Sequence, residues 1–555
     1  TSSLCSQLDP TVGSEPKEYL NLSVCLSPTS SLIKDEVHHQ LPCLKILMGN
    51  ELLPEKPDFA TFRYTRVKDG HLGTIEAMQA HDDDEETALM RINSIFRESY
   101  SSLFRFFISP ELQGRAVNKL VLTYPNTYSP ANLRTLEKIA RQTFPQVREG
   151  YLRFVSESDA VAAYYVRNWD MLNEGHKSIK FDDDENILIF DMGAGTLDLT
   201  LFNKRKDKDG KYIVEILGKI GTGKAGNYLD FLIAEILKES LPALSLMETT
   251  VSTARESDNS TRAQRLSLKD AIKQTVKPAL APGSQITVNG VTFDADLILT
   301  HRKFEEYLRQ ITAALISRLM ERAGKKLKID AVILSGRSCR LVPLQARLRE
   351  ALKPFAATGF RLIKKLLEGE TVRRPDGTTF TDHDLEKTVV VKGAKVLVDN
   401  FATAESPVRI RSKRFYASYG IAYQALGGRY VYRELLDCTR LESLENGVRL
   451  EDFCTEPLEI TDLGGAEKIL LVQTYLPVEE TAASINRLDY EFVSIMEEFP
   501  MAVFNNSAHL TLSLNVDFRN RISLRSGNLE AVGNTPLGTD LMGEITKRSI
   551  WPVTI

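Results

Sequence analysis

Between residues 119 and 400 short apolar runs alternate with stretches of helical spacing. The runs Lys119–Tyr124 (KLVLTY) and Ile187–Phe190 predict strands. The first leads through Pro125 into a predicted helix from Pro130 to Thr143. Helical spacing also covers Thr87–Phe107 and Ser267–Thr275. A strand that is apolar at every position is one covered on both faces. Such strands alternating with helices predict an α/β fold. After Phe401 helical spacing thins and period-two alternation takes over, most clearly at His509–Phe518 (HLTLSLNVDF), which predicts a β-rich C-terminal domain. Residues 1–60 read as irregular, with turn formers at Asp9-Pro10, Gly13-Ser14 and Ser27-Pro28 and one short apolar stretch, Cys43–Met48.

The chain has 555 residues, more than one core ordinarily holds. A boundary is expected near 401–414, where Ser406-Pro407 breaks the chain and a basic linker follows (Arg409, Arg411, Lys413, Arg414). The expected domains are therefore 1–402 and 403–555. The acidic run His81–Glu86 reads as a solvated loop or helix start, and a second, Asp182–Glu185, precedes the strand at Ile187–Phe190. With 70 basic and 74 acidic residues the net charge is −4, which argues against a general nucleic-acid binder. No apolar run reaches the length of a membrane span, and no signal-peptide pattern is seen. The six cysteines form no CxxC pair and have no His at metal-ligand spacing. Reduced thiols in the cytoplasm are the expectation.

The strongest local chemistry lies in Ile187–Phe202, ILIFDMGAGTLDLTLF. It reads as strand, tight turn, strand. The first strand ends on Asp191, and Gly193, Ala194, Gly195 and Thr196 make the turn. Small residues let backbone N–H groups approach phosphate oxygens closely. Asp191 and Asp198 flank the turn, at the right reach to hold Mg²⁺ through its water shell. Alone, the segment is equally a plain hairpin with glycine in the turn.

Further segments extend the pattern. Asp191–Asp198 resembles the second phosphate loop of the actin/DnaK-like (heat-shock chaperone) ATPase superfamily, Asp-Leu-Gly-Gly-Gly-Thr-Phe-Asp. Val121–Arg134 resembles that superfamily's strand–Pro–Tyr–helix segment, with Pro125, Tyr128 and Arg134 in place. Val155–Tyr165 (VSESDAVAAYY) is similar to its connecting helix, which puts Glu157 on the catalytic glutamate. Thr300–Glu306 (THRKFEE) resembles a Thr-Arg-x-x-Phe-Glu-Glu helix start. Ile333–Pro343 (ILSGRSCRLVP) resembles the adenosine segment and matches it at Gly336, Ser338 and Arg340. Val389–Val396 is similar to the closing helix, with Gly393-Ala394 in register. Gly221–Asp230 keeps Gly226 and Asp230 of a Gly-Gly-Glu-Asp-Phe-Asp turn. Order and spacing over residues 121–396 carry the resemblance. More narrowly, the chain resembles the SrfB-like bacterial virulence factors, which have a DnaK-like region.

The resemblance implies an actin-like fold of two ribonuclease H-like lobes, the first incomplete, followed by the β-rich domain. It implies ATP or ADP with Mg²⁺ in the cleft between the lobes. Asp191 would hold the metal's waters with Asp198, and Gly193–Thr196 would cradle the phosphates. Glu157 would orient the attacking water. Gly226, Gly336, Ser338 and Arg340 would meet the rest of the nucleotide. The helix at Ser267–Thr275 could add Lys269 and Lys273, although a solvated helix face is the favoured reading of these lysines. A nucleotide-dependent, chaperone-like switch with a protein or peptide partner at the C-terminal domain follows. A nucleotide-stabilised scaffold without hydrolysis is the alternative.

The chain departs from the pattern at several points. Ser158 replaces the proline beside Glu157, Asp159 adds a carboxylate, and Arg337 replaces a glycine. The first phosphate loop, Asp-x-Gly-Thr-Thr/Ser, is not found in residues 1–118, and no lysine is identified for the γ-phosphate. Upstream sequence supplies that loop, or turnover is weak. Gly218–Ala225 (GKIGTGKA) falls one residue short of the other phosphate-binding pattern, GxxxxGK[ST]. Ala225 stands where that pattern needs a hydroxyl.

Overall fold

A computed structural model describes residues 120–536 apart from isolated positions and the stretches 148–151, 173–183, 207–211, 245–267, 374–378, 383–384, 400–407, 413–416, 438–453, 488–491 and 517–520. It also describes five strands of two to four residues within residues 2–41. Such short strands carry no legible period. The expected helix at Thr87–Phe107 lies outside the described residues.

The chain is mixed α/β. Strand β1 (Leu120–Tyr124) leads through helix α1 (Pro130–Thr143) to β2 (Leu152–Ser156), and β1 and β2 pair in parallel. Helix α2 (Glu157–Arg167) follows at once. Next come β3 (Glu185–Met192), β4 (Leu197–Lys206), β5 (Tyr212–Thr222) and α3 (Gly226–Ser240). A continuous helical run spans 268–279 and contains a π segment at Ile272–Val276. Helices α4 (Arg302–Arg309) and α5 (Leu315–Ala323) lead to β6 (Ile329–Ser335). Then α6 (Val342–Leu352), β7 (Ala356–Ile363), α7 (Leu385–Asp399) and β8 (Val408–Ser412) follow.

Six of these strands form one sheet in the order β7-β6-β3-β4-β5-β8. The strands β7, β6 and β3 run in parallel, β4 is antiparallel to both neighbours, and β8 is parallel to β5. Alternation along each strand feeds two cores. Leu188, Phe190, Leu199, Leu201, Val332 and Leu334 pack under α3 to α6. Ile187, Ile189, Phe202, Val214, Ala331 and Ile333 pack under α2 and α7. Both faces are buried, so β3 and β6 read as unbroken apolar runs.

β8 changes the expected boundary. Arg409 and Arg411 were expected in a linker. Their backbone instead pairs with β5, so the sheet extends to Ser412. Alternating arginines suit a strand at a sheet edge, where charge discourages further pairing. That pattern is easily mistaken for a basic linker.

Beyond it, β9 (Ser418–Gln424), β10 (Tyr430–Leu436), β12 (Lys468–Thr474) and β13 (Val493–Pro500) form one antiparallel sheet. A second sheet contains β11 (Leu458–Ile460), β14 (Leu510–Val516), β15 (Arg521–Ser526) and β16 (Leu529–Pro536). The expected alternating segment, His509–Phe518, contains β14, which pairs antiparallel with β15. The sheets share one core, including Tyr419, Ile421, Leu471, Leu512 and Leu524. Helix α8 (Val478–Arg487) covers the far face of the first sheet. The guanidinium of Arg318 on α5 lies 4.7 Å from the ring centre of Phe492, and that of Arg322 lies 5.6 Å from the ring of Tyr475. No helix among the described residues is long and apolar enough to cross a membrane.

Helices α2 and α7 touch backbone to backbone. A Cβ built on Gly393 would stand 1.8 Å from the carbonyl oxygen of Ala160. Gly393→Ala is therefore expected to destabilise the fold by about 1–3 kcal/mol, the usual cost of overpacking. Gly464→Ala, whose nearest neighbour would be 3.9 Å away, is expected to stay within about 0.5 kcal/mol of the parent. Urea unfolding of the two variants checks the contrast.

Candidate functional site

Strands β3, β5 and β6 all finish at the same edge of the sheet, and a glycine follows each ending. Gly193 follows β3, Gly226 opens α3 after β5, and Gly336 follows β6. Ligands of open α/β sheets bind outside the carboxyl ends of strands.

The three glycines are pressed together. Gly193 N–H donates to the Thr196 carbonyl at 3.0 Å and closes the turn. The Gly193 carbonyl accepts from Gly226 N–H at 3.1 Å and from Ser338 Oγ at 3.2 Å. A Cβ on Gly226 would lie 2.5 Å from Ser338 Oγ and 2.8 Å from the Gly193 oxygen. Gly336 has φ +82°, and a Cβ there would lie 2.3 Å from the Met192 oxygen. Neither position accepts a side chain without moving backbone. Gly195 has open space around it. Ala194 is exposed and Thr196 is buried.

Asp191 and Asp198 are direct partners across β3 and β4, and Ser335 of β6 pairs with Asp191 on the other side. All three follow the alternation of the α2 face, which is apolar along the strands and turns polar at this edge. Glu157, the first residue of α2, is buried close by. Burial raises the Asp198 carboxyl well above the ordinary carboxylate range. The charges of Glu157 and Asp191 add to that shift, while hydrogen bonds from Thr196 and from the Asn126 backbone oppose it. Asn126 N–H donates to Asp198 Oδ1 at 2.5 Å.

The expected residues therefore gather in part. Glu157, Asp191, Gly193, Ala194, Gly195, Thr196, Asp198, Gly226, Gly336 and Ser338 lie around one sheet edge. Arg340 belongs to the same turn, and its guanidinium lies 2.9 Å from Glu386 and 3.0 Å from the Leu367 carbonyl. Lys273 is tied to Asp230 of α3 at 3.7 Å, and Lys277 is closer, at 2.8 Å. Lys277 went unnoticed although it continues the four-residue spacing of Lys269 and Lys273. The glycine pattern from Gly218 to Ala225 is strand for most of its length and turns only at Gly223–Ala225. Gly218–Thr222 are ladder residues of β5. A Cβ on Gly218 would lie 2.8 Å from Leu319 Cδ1, so this glycine serves helix packing.

Asn126, Ser156, Thr200 and Lys219 were missed. The first three are common polar residues without a motif. Lys219 was hidden inside the glycine pattern. Tyr307 was missed too. Its hydroxyl donates to the Lys224 carbonyl at 3.1 Å, and its ring stacks on Tyr228 at 5.4 Å, bracing the start of α3.

Among the described residues, no group of three or more His, Cys, Asp or Glu is placed to hold a metal ion directly. No protein-family model matches the chain.

The Asp198 shift has a consequence for stability. The native carboxyl keeps its proton to higher pH than the unfolded one. The native state therefore binds more protons, and its stability falls as pH rises from the ordinary carboxylate range through the raised native value. Asp198→Asn keeps an oxygen for Asn126 N–H and removes the titration. Its melting temperature at neutral pH is expected to exceed the parent's, and the two are expected to converge in acid. Melting curves across pH check this.

Proposed function

We propose that this chain binds ATP or ADP with Mg²⁺ in the manner of the actin/DnaK-like ATPases. The observation that carries this is the convergence of Gly193, Gly226 and Gly336 at the carboxyl edge of one sheet, beside the facing pair Asp191 and Asp198. Small residues at strand ends open backbone N–H groups to phosphate oxygens. Two facing carboxylates favour a cation between them and a ligand that brings one.

The sheet supports the finer fold. Numbered in chain order, its first five strands lie 3-2-1-4-5 with the second antiparallel, and β8 is added outside the third. That is the order of a ribonuclease H-like lobe. The parallel unit β1–α1–β2 fits the end of a preceding lobe, with α2 and α7 as the two connecting helices. The β-rich domain would begin at β9 and would meet a protein or peptide partner.

In this reading Asp191 and Asp198 hold the metal through water, as suits an ion that keeps most of its waters. Mg²⁺ neutralises phosphate charge. Glu157 lies on the same side, where it would orient water. Ser338 and Arg340 would contact the nucleoside, and Lys273 would approach it from the helical run at 268–279.

The test is thermal stability with Mg-ATP and Mg-ADP, with phosphate release followed in parallel. Nucleotide at 100 times its Kd is expected to add about 2.7 kcal/mol of stability. The gain should vanish in Asp191→Ala and persist in Gly464→Ala, which lies outside the site and whose Cβ would meet its nearest neighbour at 3.9 Å. No gain in the parent chain would refute the proposal. A gain without phosphate release would identify a binding scaffold rather than a hydrolase.

A further inference from the structure

Behind the carboxylates, the α2 face of the sheet holds a closed ring of hydrogen bonds. Thr200 Oγ1 donates to Ser158 Oγ at 2.7 Å. Ser158 Oγ donates to Asn126 Oδ1 at 3.0 Å. Asn126 Nδ2 donates back to Thr200 Oγ1 at 3.1 Å. Each member gives and receives, so the ring fixes the direction of the Asn126 amide. Ser156 Oγ lies 3.0 Å from Ser158 Oγ. The Ser158 proton is committed to Asn126, so Ser156 is the donor of that bond. Ser156 Oγ accepts from Asp159 N–H at 3.2 Å, capping α2, and from Lys219 Nζ at 3.2 Å.

Lys219 begins the chain. Its ammonium lies 2.7 and 2.8 Å from the two oxygens of Asp159, and its side chain is 4% exposed. The bonds run one way, from Lys219 to Ser156 to Ser158 to Asn126. The Asn126 backbone N–H ends on Asp198. Glu157 sits between Ser156 and Ser158, and both of its neighbours are held by this chain.

Stability alone gives little reason for such a pair. A buried ion pair can often be replaced by apolar residues with no loss of stability, whereas removing one partner leaves a costly unpaired charge. A fully satisfied polar network does define one geometry.

We propose that Lys219, paired with Asp159, is a positioning residue for the nucleotide site. It holds the first turn of α2, and with it Glu157, and through the hydroxyl chain it holds the Asn126 turn that binds Asp198. This rests on the nucleotide-binding proposal and adds the internal cation that sets the site's carboxylates. Lys219 acts through its neighbours and touches no ligand.

The test compares two variants of the 555-residue chain. Lys219→Met combined with Asp159→Leu removes the pair without stranding a charge. Ser158→Ala cuts the chain and leaves the pair intact. Melting of the free protein reports the fold, and calorimetric titration with Mg-ADP reports the site. Both variants are expected to melt near the parent and to bind Mg-ADP about tenfold or more weakly, the loss typical of groups that orient a metal's partners. Parent-like affinity in Ser158→Ala overturns the proposal, and so does parent-like affinity in a folded double variant. If the double variant does not fold, Ser158→Ala decides alone. If the parent chain itself binds no Mg-ADP, the nucleotide proposal fails first and this one falls with it.

Discussion

Asp191 and Asp198 face each other across two hydrogen-bonded strands. Like charges in that relation repel. The same two strands show the contrast at their other end, where Glu185 pairs with Lys204 across the ladder and Arg361 also binds Glu185. One end of the hairpin holds an ion pair, and at the other the charges of Asp191 and Glu157 both act on Asp198. A protein tolerates such a repulsion when a bound cation or a proton relieves it. The raised Asp198 carboxyl is the proton's answer, and a metal-carrying ligand would be the other. The glycine turns, the capped start of α2 and the Asn126 turn all surround that pair.

How much of this was legible follows from what each residue does to the pattern along the chain. Asp191 ends an unbroken apolar run, so it stood out. Gly193 stood out as the start of a turn of small residues, and Gly226 and Gly336 through the segments that resemble the superfamily's. The α/β alternation showed because both faces of the sheet are covered. The edge strand β8 did not show, since its alternating arginines imitate a linker. Lys219 was concealed by the glycines around it, which resembled a phosphate loop, although Gly218 and Gly221 are strand residues and Gly218 packs on α5. Helix α8 was missed within a region dominated by strands. The ring of Thr200, Ser158 and Asn126 joins positions 32 to 74 residues apart, and no local period reports contacts of that range.

Ser158 and Asp159 have one joint role in this structure. A proline at 158 would remove the hydroxyl that links Ser156 to Asn126. Asp159 would be an uncompensated carboxylate beside Glu157 but for Lys219. Ser158, Asp159 and Lys219 act as one unit: a charge pair anchors the start of α2, and a hydroxyl carries that anchor to the neighbouring strand and turn. A change at one of these positions is therefore expected to couple to the others rather than add to them.

Arg337 belongs to the opposite side of the site. Residues three apart on a 3₁₀ turn lie one above the other, so Arg337 and Arg340 reach the same oxygen of Glu386, at 3.3 and 2.9 Å. Glu386 lies in the first turn of α7, and two turns later α7 meets α2 where Gly393 lies against Ala160. Ala160 is three residues beyond Glu157. The turn that follows β6 and the carboxylate that opens α2 are thus joined through two helices in backbone contact. Close-packed helices with no side chain between them slide poorly, because any shift drives backbone into backbone. The two sides of the site therefore move as one body or part at this crossing. Gly393 permits that crossing, since any side chain there would force the helices apart.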